Sequence, residues 1–338
     1  MSSFEILLSF IAMGLAAAIS AVLIQVTRPL LLRVALAKPN ARSSHRIPTP
    51  QGAGIAVTAA TLLAGGIVIV MAGAPDLTVP LIVFGASLFI AAVGFVDDIR
   101  PLPVVPRLLL QAAAVAAVVF VVPSDLKIIP VSPFWLERGL LVLAGVWFVN
   151  LVNFMDGLDL MTAAEAVPIT LAIALLGCSN HVPAAAALVA AALCGALLGF
   201  APFNRPVARI FLGDVGSLPI GLLVGWCLLE LAMRGQVAAA LLLPLYYLAD
   251  ATVTLLRRMA RREPFWVAHR SHFYQRATDN GLTVQRVVGE VFGLNVVLVL
   301  LALTSIAFDS AIADIPLLLA GAFAVAVQLS RFSRSPPT

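Results

Sequence analysis

Five aspartates in this chain could do chemistry, and they fall in three short segments. Asp97 and Asp98 stand in GFVDDIRPL, Asp156 and Asp159 in NLVNFMDGLDL, and Asp214 in RIFLGDVGSL. In the second segment Asn150, Asn153, Asp156 and Asp159 recur every third residue. Positions three apart share a helix face, so the spacing predicts a row of amide and carboxylate oxygens at a helix end. Gly157 can break the helix there. Asp214 is flanked by Gly213 just ahead of an apolar run, where the free backbone N–H groups of a helix start can hold a phosphate. Acids gathered in one place repel unless a cation neutralises them. Oxygen-rich sites suit Mg²⁺, which takes one or two carboxylates and shares the rest of its shell with phosphates and water; Mn²⁺ is the alternative ion. Another segment supplies the opposite sign. RRMARREPFWVAHRSHFYQRATDNG places His269, Arg270, His272 and Arg276 close together, and arginine forks match phosphate oxygens. Arg257, Arg258, Arg261 and Arg262 fit a basic surface that meets anionic lipid heads.

Membrane helices must position these residues. Of the 338 residues 61% are hydrophobic and only 11% charged, with a mean hydropathy of +1.05. Soluble domains carry about 25% charged residues. The apolar runs are continuous and rich in Ala and Leu, which excludes the alternating pattern of a membrane β-barrel. A spanning helix needs about 20 apolar residues. Such runs cover roughly 4–26, 53–72, 79–96, 105–122, 138–155, 161–177, 183–201, 218–234, 236–256, 284–308 and 314–330. The expected fold is an all-α polytopic bundle of about eleven spans, forming one integral-membrane domain over residues 1–338. The first run contains Glu5 and lacks a basic leader, so it reads as a retained span.

All five aspartates then land at span ends on one side, and charge says which side. Of the 21 basic residues, three (Lys127, Arg138 and Arg234) fall in loops on the opposite side. The other eighteen, among them Arg28, Arg33, Lys38, Arg42, Arg46, Arg100 and Arg107, share the side of the aspartates. The excess of positive charge marks the cytoplasm, so the N-terminus is expected outside and the C-terminus inside. The pI near 9.3 is thus a topology signal. With no basic patch interleaved with exposed aromatics, nucleic acid is not an expected partner. Cys178, Cys194 and Cys227 sit in or beside apolar runs and read as small hydrophobes.

GFVDDI, NLVNFMDGLD, FLGDVGS and HRSHFYQR, in this order, resemble the polyprenyl-phosphate N-acetylhexosamine-1-phosphate transferases, glycosyltransferase family 4. IPTPQGAGIAV and YLADATVTLLRR resemble two further segments of that family, so the likeness covers nearly the whole chain. It implies transfer of a sugar-1-phosphate from a UDP-N-acetyl sugar to undecaprenyl phosphate, with release of UMP, in the bacterial inner membrane. It implies Asp214 as first metal ligand with Asn153 beside it, and Asp97 and Asp98 at the lipid phosphate, Asp97 as base or as metal placer. Asp156 and Asp159 belong to the same catalytic group. Gly157, Leu158 and Asp159 would meet the uridine with Asn150 and Asn153 on the same helix end, and Phe211 would stack on the uracil. His269, Arg270, His272 and Arg276 would grip phosphates or the sugar, and Asp250 would support them from within a span. A homodimer is compatible with the family. The chain departs from the common pattern at Leu160, where glycine is usual, at Gln51 and Ala53, and in HRSHFYQR itself. These departures resemble the branch that starts O-antigen or other surface glycans on N-acetylated hexosamines or deoxyhexosamines. Two other classes share some features. A secondary transporter should carry its acids near the bilayer midplane, and a lipid carrier needs only the basic loops.

Overall fold

The structure, a computed structural model, describes residues 3–37, 48–264 and 269–334. Lys38, Arg42 and Arg46 of the charge argument lie outside the described residues. The described chain is almost wholly helical: α1 (Ser3–Val34), α2 (Gly54–Met71), α3 (Thr78–Ile99), α4 (Val104–Val121), α5 (Phe134–Phe154), α6 (Met161–Cys178), α7 (Ala184–Phe200), α8 (Asp214–Ala232), α9 (Val237–Leu242), α10 (Leu245–Ala260), α11 (Phe273–Asp279), α12 (Val284–Phe308) and α13 (Ala311–Ser333). Two short strands, β1 (Leu36–Ala37) and β2 (Thr49–Pro50), pair antiparallel with Leu36 opposite Pro50.

Proline sets several boundaries. Pro103, Pro133 and Pro183 stand just before α4, α5 and α7, and their carbonyls accept the first helical N–H bonds at 3.2, 3.1 and 3.0 Å. A fixed φ suits that position and the missing N–H costs nothing there. Arg100, followed by Pro101, is extended, which ends α3 just past its aspartates.

Ten described helices are long and apolar enough to cross a membrane. Ten of the eleven expected runs appear as single helices; the run 236–256 does not. It is α9 and α10, of six and 16 residues, parted at Pro244. Proline has no N–H for the residue four back, and its ring clashes with that carbonyl. The pair still spans: Val237–Ala260 reaches roughly 36 Å at about 1.5 Å per residue, against an apolar core of about 30 Å. Indeed α8 starts beside Asp98 and ends far from it, while α11, after α10, is back beside the end of α5. The chain therefore returns across the bundle through the broken pair. Hydropathy registers the apolar length of this run and not the break.

Helix α8 is the most enclosed of the spans, and α13 the least. Two contacts hold α8 by its backbone. A Cβ on Gly54 of α2 would lie 2.2 Å from Gly216 Cα, and one on Gly94 of α3 would lie 2.3 Å from the Asp214 carbonyl oxygen. Only glycine permits backbones to approach so closely.

Candidate active site

The ends of α3, α5 and α8 converge on a cleft of about 620 Å³. Asp98, Asn153, Asp156, Gly157, Leu158, Asp159, Phe211 and Asp214 all line it. Three sequence segments separated by some fifty residues each thus meet at one end of the bundle, as their placement at span ends predicts.

Each carboxylate has a distinct task. Asp98 accepts from the backbone N–H of Asp214 at 3.0 Å and of Val215 at 3.1 Å, and so caps α8 from another helix. A carboxylate at a helix start is favoured by the free N–H groups there. Asp97 turns to Arg107 at 2.8 Å and to the N–H of Leu102 at 2.6 Å. Its side chain also meets that of Asp214, which is bonded in turn to the side chain of Asn153. Asp159 accepts from the N–H of Ala208 at 3.0 Å. Asp156 accepts from the hydroxyl of Thr162.

Burial pushes the Asp156 carboxyl up to about 7, helped by the charges of Asp98 and Asp159. In the unfolded chain it would lose its proton near pH 4. Its protonation therefore contributes stability that is complete below about pH 4 and is lost as the pH rises through 7. Metal-free protein in detergent should melt lower at pH 8 than at pH 5, and Asp156→Asn should shrink that difference. An unchanged difference in the variant would assign the effect to other groups.

The loop after α5 is braced from two sides. Leu160 donates its N–H to Asn204 Oδ1 at 2.6 Å, and Asn204 donates to the Ile210 carbonyl at 2.9 Å. Leu160 has φ 64°, in the left-handed region. Its departure from glycine therefore falls where glycine is favoured, and costs about 1–2 kcal/mol. The segment carrying Phe211 is knitted to the one before α2: Phe211 N–H donates to the Pro50 carbonyl at 2.8 Å, and Gly52, Ala53 and Gly54 donate back to Phe211 and Leu212. Gln51 lines the cleft and donates to the Asp98 carbonyl at 3.1 Å.

Other expected residues stand elsewhere. Asn150 is buried and donates to Gln111 Oε1 at 2.6 Å, one turn behind the cleft. His272 is buried and points Nδ1 at Asp250 at 3.2 Å. His269 stacks on His272 with ring centres 4.9 Å apart. Burial, with His272 and Arg258 nearby, lowers its pKa to about 4, so it is neutral at pH 7. Arg270 and Arg276 line a different cavity, and the cleft receives Gln275 from α11 instead. The expectation that these four side chains reach the same place as the aspartates is thus not met in this structure. For Arg276 the period of α11 explains it, since positions 275 and 276 project about 100° apart on a helix, while His272 is held by Asp250 and Arg270 by Asp279.

Asp250 is what places α11. It accepts from Phe273 N–H at 3.0 Å, Tyr274 N–H at 3.1 Å, Tyr246 Oη at 3.1 Å and Thr254 Oγ1 at 3.3 Å, besides facing His272. Tyr274 Oη then donates to the Phe154 carbonyl at 2.9 Å. A Cβ on Gly157 would fall 2.2 Å from that hydroxyl and 2.8 Å from Gln275 Nε2. Gln275 and Asn204 carried no sequence signal, because isolated amides mark nothing until the fold brings them to the cleft.

The family model for glycosyl transferase family 4 matches residues 80–232, which hold every cleft aspartate. Over these residues the chain is similar to glycosyl transferase family 4. The chain is 27% identical over 181 residues to the phospho-N-acetylmuramoyl-pentapeptide-transferase of Chlamydia trachomatis serovar L2, covering 52% of each. It is 25% identical over 306 residues to the protein of Bacillus subtilis strain 168 named probable undecaprenyl-phosphate N-acetylglucosaminyl 1-phosphate transferase, covering 82% of each. It is 33% identical over 211 residues to the decaprenyl-phosphate N-acetylglucosaminephosphotransferase of Mycolicibacterium smegmatis, covering 56% of this chain and 52% of that one. The chain spans about half the length of the first curated relatives it matches. The α11 segment lies outside the residues matched by the family model.

Among the described residues no three His, Cys, Asp or Glu side chains form a metal cage. Mg²⁺ does not need one, since it takes one or two carboxylates and completes its shell with phosphates and water. Asp214 and Asp97 meet side chain to side chain with the Asn153 amide against Asp214. Two carboxyl groups this close repel when both are charged unless a cation joins them, so the donor set fits.

Proposed function

We propose that this protein, like the family it resembles, moves a sugar-1-phosphate from a UDP-N-acetyl sugar to a polyprenyl phosphate. One observation carries the reading: Asp98, Asn153, Asp156, Asp159 and Asp214 meet around one cleft with Phe211 and the Gly157 loop. An oxygen of the lipid phosphate attacks the β-phosphorus of the donor. The bond from that phosphorus to the bridging oxygen breaks, UMP leaves, and a polyprenyl-pyrophosphoryl sugar remains. The attacking oxygen is already anionic, so positioning and charge neutralisation supply most of the rate. Asp214 and Asn153 would hold Mg²⁺, which offsets charge on the pyrophosphate. Asp98 fixes the start of α8, and with it Asp214. Asp97, tied to Arg107, presents the cleft end of α3 to the acceptor phosphate. The Gly157–Asp159 loop and Phe211 receive the uridine.

The acceptor is undecaprenyl phosphate and the sugar an N-acetylated hexosamine or deoxyhexosamine, the product starting a surface glycan at the cytoplasmic face of the bacterial inner membrane. The likeness of HRSHFYQR and of Leu160 to that branch supports this finer reading. The test is UMP release from a panel of UDP-N-acetyl sugars by purified protein with Mg²⁺, with and without undecaprenyl phosphate. Release that needs the lipid is expected with at least one sugar. No release, or release indifferent to the lipid, overturns the reading. Sidedness has its own check. Reporter fusions at residue 338 and within 123–137 should report cytoplasm and exterior respectively, as the basic residues predict; the same side for both would sink that map.

A further inference from the structure

A second cavity, of about 290 Å³, shares no lining residue with the cleft. Arg257, Arg258, Arg261, Arg270 and Arg276 line it, against one carboxylate, Glu263. Glu263 is taken by Arg258 at 2.8 Å, and Arg270 turns one Nη to Asp279 at 3.0 Å. Among the described residues Arg257, Arg261 and Arg276 have no ion-pair partner. Arg257 is held with its guanidinium 4.5 Å over the Phe273 ring, which fixes its plane while leaving its N–H groups to the cavity. Gathering guanidinium groups around one space costs repulsion that an anion removes.

The setting says which anion. Leu256 and Met259 alternate with these arginines along α10 and are 56% and 48% exposed. They lie three apart on one face, at the same helix end as the arginines. Apolar side chains outward and arginine forks beside them is the arrangement of a membrane interface, where acyl chains meet charged heads.

We propose that this cavity is a second phosphate site, separate from the cleft, that takes the headgroup phosphate of an anionic membrane lipid. The ligand chemistry is a phosphate ester oxyanion gripped by arginine forks. A soluble phosphate offers the same chemistry, and the test separates the two. Since Arg270 and Arg276 flank Gln275, a lipid seated here would also steady the α11 residue that lines the cleft. The site stands without the proposed reaction, because its readout is lipid retention.

Full-length protein in detergent, stripped of lipid, is offered equal amounts of phosphatidylglycerol and phosphatidylcholine and read by native mass spectrometry. A preference for phosphatidylglycerol of about tenfold is expected, the worth of one charge-assisted hydrogen bond or so. The triple variant Arg257→Gln, Arg261→Gln, Arg276→Gln should bind both lipids equally. A control with Arg33→Gln, Arg100→Gln and Arg334→Gln, all exposed residues near ends of α1, α3 and α13, should keep the preference. Should the glutamine triple fail to fold, the same three changes to Lys keep the charge but lose the forks, and should lower the preference about threefold. Equal retention by wild type, or an equal loss in the control, overturns the proposal. If inorganic phosphate raises the melting temperature of wild type but not of the cavity triple, and no lipid preference is seen, the phosphate site stands and the lipid as its source is overturned.

Discussion

Asp214→Asn is expected to cut lipid-dependent UMP release by about 10²–10³, on the scale of losing one electrostatic stabiliser in a preorganised site. The change is isosteric, and the folded frame should survive it. The start of α8 is capped by Asp98 through the backbone N–H groups of residues 214 and 215, and neither bond uses the Asp214 side chain. What the change removes is the carboxylate that meets Asp97 and Asn153. Two measurements separate the cases: UMP release at saturating Mg²⁺, and melting in detergent without it. Near-normal turnover would remove Asp214 from the proposed metal-holding group. A variant that fails to melt cooperatively would mean that the side chain is part of the frame.

Asp250→Ala should be the second large effect, and a different kind. It leaves the donors of Tyr246, Thr254, His272, Phe273 and Tyr274 without their acceptor inside the bundle. Each stranded buried donor costs about 1–3 kcal/mol, and because they share one network the sum is not additive; a total on the order of 3–5 kcal/mol is expected. Asp250→Asn keeps one acceptor oxygen and should lose less. The loop ahead of α11 should become sensitive to protease in the alanine variant, and KM for the UDP-sugar should rise more than kcat falls, since Asp250 acts on the cleft only through Tyr274 and Gln275. Wild-type protease resistance in Asp250→Ala would refute the clamp.

How much of this was legible in the sequence follows from the kind of signal involved. Acids at the ends of apolar runs stand out because charge is costly inside a membrane. Charge at the run ends alone groups Asp98, Asp156, Asp159 and Asp214, which line one cleft. Spacing misjudged Asn150, since a three-residue step drifts around a helix of 3.6 residues per turn and carries its first member away from the cleft. HRSHFYQR shows its charge plainly, but which way each side chain turns depends on Asp250, a tertiary partner some twenty residues earlier. The break at Pro244 was visible as a proline yet hidden by the unbroken hydropathy around it.

The glycine contacts of α8 carry a consequence for how turnover is timed. A helix wedged backbone against backbone on two sides has no loose side chains through which to slide, so Asp214 and Asp98 form a fixed anvil. On the proposed reaction, any opening that admits a donor or lets UMP escape must come from parts held by side chains, and α11 is such a part: seven residues held by the Asp250 carboxylate, the Tyr274 hydroxyl, the Arg270–Asp279 ion pair and the buried side chains of Phe273 and Ala277. Amide hydrogen exchange should therefore be faster along 273–279 than along 214–224. The catalytic cycle would then beat at the rate at which that short helix lets go.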